Sequence, residues 1–409
     1  MKIQMNELIQ AIATALDIVE HELLGASTNH GKRIAVLCAL MGRELNLGDS
    51  EIKAITTSAL FHDNALTEYI QYKFEHKEQE SNIILHCEFG QRNIEMIPFG
   101  FDVSGLVLYH HEHADGTGLY KKKEDEFPLG AALIAIADMI DVQFHLQTIS
   151  ADKIPVVQEK VKSQTGKLFT KAAADAFLKI FTEEVLISLR DENIQDSVEK
   201  AIPAWEVDVD GGAMLSIAAL ASKIIDYKSP FTRNHSVQIA NRAWLMGGYY
   251  GFDPVKRAKV FLAASLHDLG KLATPNDILD KPDKLTDDEF ETIKAHVKGT
   301  YDLLCNVTGF EEVCHWASSH HEKLNGSGYC FGIDEKELDF IDRLLACTDI
   351  YQAVCEERPY HARRSHEETM PILWSMAEKG FIDKQIVDDF DTVMALYSNK
   401  DVPPPGEVL

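Results

Sequence analysis

Fourteen residues of this chain form two sets of seven with the same types in the same order. The first half has His30, His62, Asp63, His86, His110, His111 and Asp138; the second has His235, His267, Asp268, His296, His320, His321 and Asp349. The step from the first His to the His-Asp pair is 32 residues in both halves (30 to 62 and 235 to 267), and that from the single His to the His-His pair is 24 in both (86 to 110 and 296 to 320). A single His-Asp dipeptide among 17 histidines means little, since a satisfied core histidine beside a solvated aspartate explains it. The whole ordered set, twice over, points to two copies of one metal scaffold.

At 409 residues the chain exceeds the size at which a single core keeps growing, so two domains are expected. The segment AIPAWEVDVDGG, with its Pro, paired Gly and three acidic residues, reads as a linker over 201–212. It separates a first domain, 1–200, from a second, 213–409, with 150–200 as extra helices of the first. A hydrophobic fraction of 45% and a charged fraction of 26% fit a soluble globular protein. The N-terminus mixes Gln, Asn, Glu and Asp into its apolar residues and offers neither a signal-peptide core nor a membrane span, so a cytoplasmic protein without membrane association is expected. Seven cysteines without a CxxC pair suit reduced thiols, mostly buried as small hydrophobes. A net charge of −25 disfavours DNA or RNA polymers. It leaves room for a small phosphate ligand, because metal ions and local Arg or Lys residues can reverse the field inside a pocket.

The fold class read from periodicity is all-α. Leu8, Ile9, Ile12, Leu16 and Val19 recur at helical spacing before Gly25, and similar patterns run over 174–189 and 214–225. Both His-Asp pairs lie in apolar, Ala-containing runs expected to be buried helix. The stretch LATPNDILDKPDKLTDDEF should be a loop ending at a capping box of Thr286 and Glu289, whose helix carries His296. The tail DVPPPGEVL reads as loosely packed.

Neutral imidazoles with carboxylates, and no Cys in the set, suit first-row divalent ions rather than a structural zinc site. A carboxylate has two oxygens, so Asp268 can bridge two metals. His235, His267 and Asp349 would complete one, and His296, His320 and His321 the other. Two such ions roughly 3.5–4 Å apart can generate a hydroxide nucleophile and stabilise in-line attack on phosphorus. Lys271, four residues after His267, shares its face if the helix continues past Gly270, where it could neutralise a phosphate or protonate a leaving oxygen. A surface Lys after a helix-ending Gly is the competing reading.

The segments SLHDLGKLATPNDILDKPDKLTDDEFETIKAH, HHEKLNGSGY and TDIYQAVCEERPY resemble the HD-GYP domains of bacterial cyclic-dinucleotide phosphodiesterases over roughly residues 213–400. The resemblance implies an all-α HD-type fold, here two tandem domains joined by a short linker, and a bi- or trinuclear centre of iron, manganese or similar divalent ions in the second, for which two ions are expected. It further implies hydrolysis of a cyclic dinucleotide to a linear 5′-phosphorylated one. It carries metal-ligand roles onto the seven second-half residues, a catalytic role onto Asp268 and Lys271, and substrate contact onto Arg358, with Arg363 and Arg364 as further candidates. Gly328, Tyr329 and Cys330 stand for the GYP triplet, so its Pro is missing; His361 replaces a basic residue; Gly299 follows His296 at +3; and Phe231 takes a position where trinuclear members carry Glu.

NHGKRIA, LFHDNAL, HHEHADGTG and ADMID resemble the same family more weakly. There all seven ligand types survive, but Leu66 replaces the Lys and Gln147 stands where Arg358 would be. The first domain is therefore read as divergent and non-catalytic or regulatory, its set a candidate second metal site. Tandem domains with a divergent first copy resemble phosphodiesterases for 3′3′-cyclic GMP-AMP (3′3′-cGAMP), which makes that dinucleotide the leading expectation and cyclic di-GMP the next. A homodimer is the expected assembly. The alternatives are a non-hydrolytic cyclic-dinucleotide receptor and another HD-superfamily nucleotide phosphohydrolase.

Overall fold

The helix Met5–Leu24 ends where Gly25 takes a left-handed φ of 67° that most side chains avoid, and the chain continues as a succession of short helices. The computed structural model describes residues 1–25, 27–76, 83–226, 228–229, 234–356, 363–397 and 400–405. Two three-residue strands, Lys2–Gln4 and Glu206–Asp208, are the sheet content among the described residues, so the fold is all-α. Among the described residues, no helix is long and apolar enough to cross a membrane.

The chain divides into two structural units, Gln4–Val207 and Asp208–Leu409, the latter joined by Met1–Ile3. The α-amino group of Met1 donates to Asp208 Oδ1 (3.0 Å) and Val209 O (2.9 Å). The duplication is visible in the helices. His30–Glu44 and His235–Tyr249 each begin on the first ligand histidine and run for 15 residues, and Leu129–Phe144 and Phe340–Cys355 each run for 16. In the first unit Ile34, Leu37, Cys38 and Met41 pack in the core with Leu133, Ile136 and Ile140. In the second, Met246, Leu344, Tyr351, Leu373, Ile386 and Phe390 form one buried cluster.

Local chemistry sets the helix starts. Asp253 accepts from Val255 N and Lys256 N ahead of Pro254, and Thr286 and Glu289 form the reciprocal cap expected from sequence. Three expectations are corrected. The pattern over 174–189 is two helices, Lys171–Ile180 and Glu183–Ser188, because Thr182 caps a new start. The segment between Leu272 and Thr286 contains a short helix, Asn276–Leu279. The tail is docked at Val402, which is buried, donates from its N–H to Gln238 Oε1 (2.9 Å) and accepts from Asn241 Nδ2 (2.9 Å).

Candidate metal centre

In the second unit, buried Asp226 accepts from Ser236 N (3.0 Å) and Val237 N (3.2 Å), which fastens the helix start that carries His235. The helix Pro254–Leu266 stops before His267 and Asp268, so the pair sits in the turn beyond it and not within the helix. Lys271 follows on a 3-10 turn, Leu269–Ala273, so the α-helix does not continue past Gly270. Thr300 Oγ1 bonds both Gly270 N and His267 O at 2.9 Å and ties this turn to the helix Asp287–Leu304. Only glycine fits at 270, because a Cβ there would lie 2.1 Å from His296 O. His320 and His321 lie just past the helix Glu311–Ser318, and Asp349 lies within Phe340–Cys355.

Backbone carbonyls orient the imidazoles. Nδ1 of His267, His296 and His320 meets the carbonyl three residues earlier, at Ala264 (2.7 Å), Ile293 (2.6 Å) and Ala317 (2.7 Å). His235 Nδ1 instead meets Glu356, 3.0 Å from each carboxylate oxygen. The carbonyl contacts assign the proton of His267, His296 and His320 to Nδ1 and leave an Nε2 lone pair facing inward, while the Glu356 carboxylate accepts from His235 Nδ1 and turns its Nε2 the same way.

These nitrogens sort around the two oxygens of Asp268. Oδ2 lies 3.3 Å from His267 Nε2 and 3.5 Å from His235 Nε2, while Oδ1 lies 3.3 Å from His296 Nε2 and 4.0 Å from His320 Nε2. Asp349 Oδ1 is 3.5 Å from His235 Nε2, and its Oδ2 is 3.7 Å from His321 Nδ1. Lys271 Nζ lies 2.5 Å from Asp268 Oδ2. Burial alone would raise the Asp268 carboxyl, but His267 and Lys271 hold it well below the usual range. Burial, then Lys271, pushes His296 down to about 3, and burial lowers His321 to about 4. Burial also opposes the charge on His235, yet Glu356 and Asp349 lift it to about 9.

Two neighbours were not singled out from sequence: Glu356 holds His235, and Lys294 Nζ lies 5.8 Å from the ring of Tyr329, the tyrosine of the GYP-like triplet, whose ring lies 4.8 Å from that of His321. Lys294 was legible only as the residue two before His296. Glu322, the third residue of HHE, accepts from Phe331 N (2.7 Å) and Gly332 N (3.1 Å) and so shapes the loop bearing Tyr329. Among the expected substrate contacts, Arg358 lies outside the described residues, as do Phe231 and His361. Arg363 is not brought to the ligand set, since its guanidinium donates to Asp401 Oδ1 (3.0 Å), and Arg364 bonds Cys355 O through its backbone (3.2 Å).

The first unit repeats the plan. Nδ1 of His62, His86 and His110 meets the carbonyls of Ala59 (2.9 Å), Ile83 (2.7 Å) and Val107 (2.5 Å). His30 Nδ1 lies 2.6 Å from Asp141 Oδ2, a carboxylate also gripped by Arg33 Nε at 2.8 Å. Asp63 Oδ2 faces His62 Nε2 (3.6 Å), Oδ1 faces His86 Nε2 (3.2 Å), and Asp138 Oδ1 faces His30 Nε2 (3.2 Å). Leu66 opens a helix where the second unit has Lys271, and Gln147 O accepts from Arg190 (2.6 Å). Asp141, Cys87 and the buried Glu20 were missed; burial, then Asp63, raises the Glu20 carboxyl.

The donor sets fit divalent cations. Nε2 of His235 and His267 and Oδ1 of Asp268 are buried without hydrogen-bond partners, as are Nε2 of His62 and His110. Leaving such atoms unpaired costs about 1–3 kcal/mol each, and a coordinated cation offsets that. The groupings His235, His267 and Asp268, and His296, His320 and His321, each converge within 4.8 Å; so do His30, His62 and Asp138, and His86, Cys87, His110 and His111.

The chain is similar to the 3′3′-cGAMP-specific phosphodiesterase 1 of Vibrio cholerae, 27% identical over 94% of this chain and 91% of that one. It is also similar to a cyclic di-GMP phosphodiesterase of Pseudomonas aeruginosa, 28% identical over 52% of each chain. Its fold matches a crystal structure of a cyclic GMP-AMP-specific phosphodiesterase of V. cholerae, V-cGAP3, with a TM-score of 0.68 and 22% identity over 97% of this chain and 99% of that one. The HD-domain family model matches residues 16–145 and again 219–386, so the chain belongs to the HD-domain family in both of its halves.

Proposed function

We propose that the second unit is a metal-dependent phosphodiesterase that opens a cyclic dinucleotide, 3′3′-cGAMP first and cyclic di-GMP second, to a linear 5′-phosphorylated dinucleotide. The observation that carries this reading is Asp268, whose two oxygens face two separate histidine groups while Lys271 reaches the same carboxylate. The names of the relatives, one of them matched along nearly the whole chain, support the substrate class.

Two first-row divalent ions, one held by His235, His267, Asp268 and Asp349 and the other by Asp268, His296, His320 and His321, would supply water activation and charge stabilisation at phosphorus. His296, His320 and His321, their charged forms disfavoured by burial, present neutral nitrogens for this. Lys271 neutralises the phosphate oxygens and delivers a proton toward the departing 3′ oxygen. Tyr329 offers a face for a base, and Lys294 a charge for the second phosphate. The first unit, with Leu66 and Gln147 in place of phosphate-facing groups, binds metal without hydrolysing and serves a regulatory role. This reading goes with action in the cytoplasm.

The test is a panel of cyclic dinucleotides incubated with the full chain loaded with Mn²⁺ or Fe²⁺, products weighed by mass spectrometry. Linear 5′-phosphorylated dinucleotides are expected, and His267→Ala should abolish them. Intact substrates throughout, with undiminished ligand binding, would instead identify a receptor.

A further inference from the structure

The two units differ in a residue that touches the ligand set directly. Cys87 follows His86, whereas Val297 follows the matching His296. Cys87 is fully buried, and its Sγ lies 3.8 Å from both ring nitrogens of His86. The thiol, His86, His110 and His111 each offer a donor atom, all within 4.8 Å of one another. His86 and His110 have their Nδ1 atoms occupied by Ile83 O and Val107 O, and His110 Nε2 is buried without a hydrogen-bond partner. Asp63 Oδ1 stands 3.2 Å from His86 Nε2 and 3.9 Å from His110 Nε2, while its Oδ2 lies 3.6 Å from His62 Nε2.

We propose that the first unit holds a metal ion through His86, Cys87, His110 and His111, a thiolate-containing set suited to zinc and chemically distinct from the carboxylate and imidazole centre of the second unit. This rests on reading the first-unit cluster as a metal site. Thiolate with imidazole selects zinc over the harder ions that carboxylates accept, so one chain sorts two kinds of metal by exchanging a Val position for Cys. Binding replaces the thiol proton: Cys87–SH and a divalent ion give the metal thiolate and one released proton. Lacking the Lys271 counterpart, such a site stabilises and reports metal status rather than cleaving phosphodiesters.

The experiment uses the full chain with His267→Ala and Asp268→Ala to disable the second centre, reconstituted with Zn²⁺ or with Co²⁺ as a spectroscopic probe. A bound ion and a near-ultraviolet thiolate-to-cobalt charge-transfer band are expected. Cys87→Val, which copies the second unit, should remove the band and weaken zinc binding about tenfold or more. Cys87→Ser, closer in shape to the native residue, should also remove the band while circular dichroism stays native. A bound ion without the band, or a band that survives Cys87→Val, overturns the thiolate assignment. No bound ion at all overturns the underlying reading of the cluster as a metal site, and the proposal with it.

Discussion

Lys271 Nζ lies 2.5 Å from Asp268 Oδ2, the same oxygen that faces His267 Nε2 at 3.3 Å. The ammonium therefore stands at the rim of the donor set without being one of its donors. Lys271→Ala should lower cyclic-dinucleotide turnover by roughly 10²- to 10⁴-fold, the usual worth of a positioned proton donor. Metal content measured by elemental analysis should stay near the native value, whereas His267→Ala should lose both. Loss of metal in Lys271→Ala would sink the assigned role.

His235 is raised to about 9 because Glu356 and Asp349 outweigh its burial, so the metal-free protein keeps this imidazole protonated at neutral pH. Coordination through Nε2 requires that proton to leave. Metal binding should accordingly release about one proton from this residue below pH 9, and affinity should rise with pH up to that point. Calorimetry in buffers of different ionisation enthalpy measures the release; a buffer-independent heat would contradict it.

Glu356 is the orienting partner of His235, at 3.0 Å from each carboxylate oxygen. Glu356→Gln keeps the shape but not the charge, and should weaken metal binding by roughly 10- to 100-fold, the usual cost of losing such a partner. The proton release assigned to His235 should shrink in the same variant. Unchanged affinity would show that the carboxylate does not hold the imidazole for metal.

Gly270→Ala would place a methyl carbon 2.1 Å from His296 O and 2.6 Å from Thr300 N. Both atoms are backbone, so relief requires moving the turn that carries Asp268. A loss of at least about 1–3 kcal/mol is expected, as for other overpacked sites, with reduced metal occupancy. Thermal unfolding and elemental analysis test this, and a native melting temperature would count against the close approach.

The sequence by itself determined the helical class, the duplication and the ordered ligand types, because helical periodicity and exact residue spacing are local properties of the chain. His235 and His30 could be picked out as donors, yet nothing local marks Glu356 or Asp141 as the carboxylates that orient them. Those partners sit 121 and 111 residues away, and only packing brings them near. Periodicity also ran the helix through the His-Asp pair, whereas the structure stops it and lets a 3-10 turn against Thr300 aim Asp268 and Lys271. The same limit hid part of the asymmetry between the units. Leu66 in place of Lys271 was legible from alignment of the two halves, but Cys87 looked like any small core residue until folding put its sulfur beside three histidines. Residue identity chose the available chemistry; tertiary packing decided which donors meet and which oxygen of Asp268 each one faces, since those distances depend on helices remote in sequence.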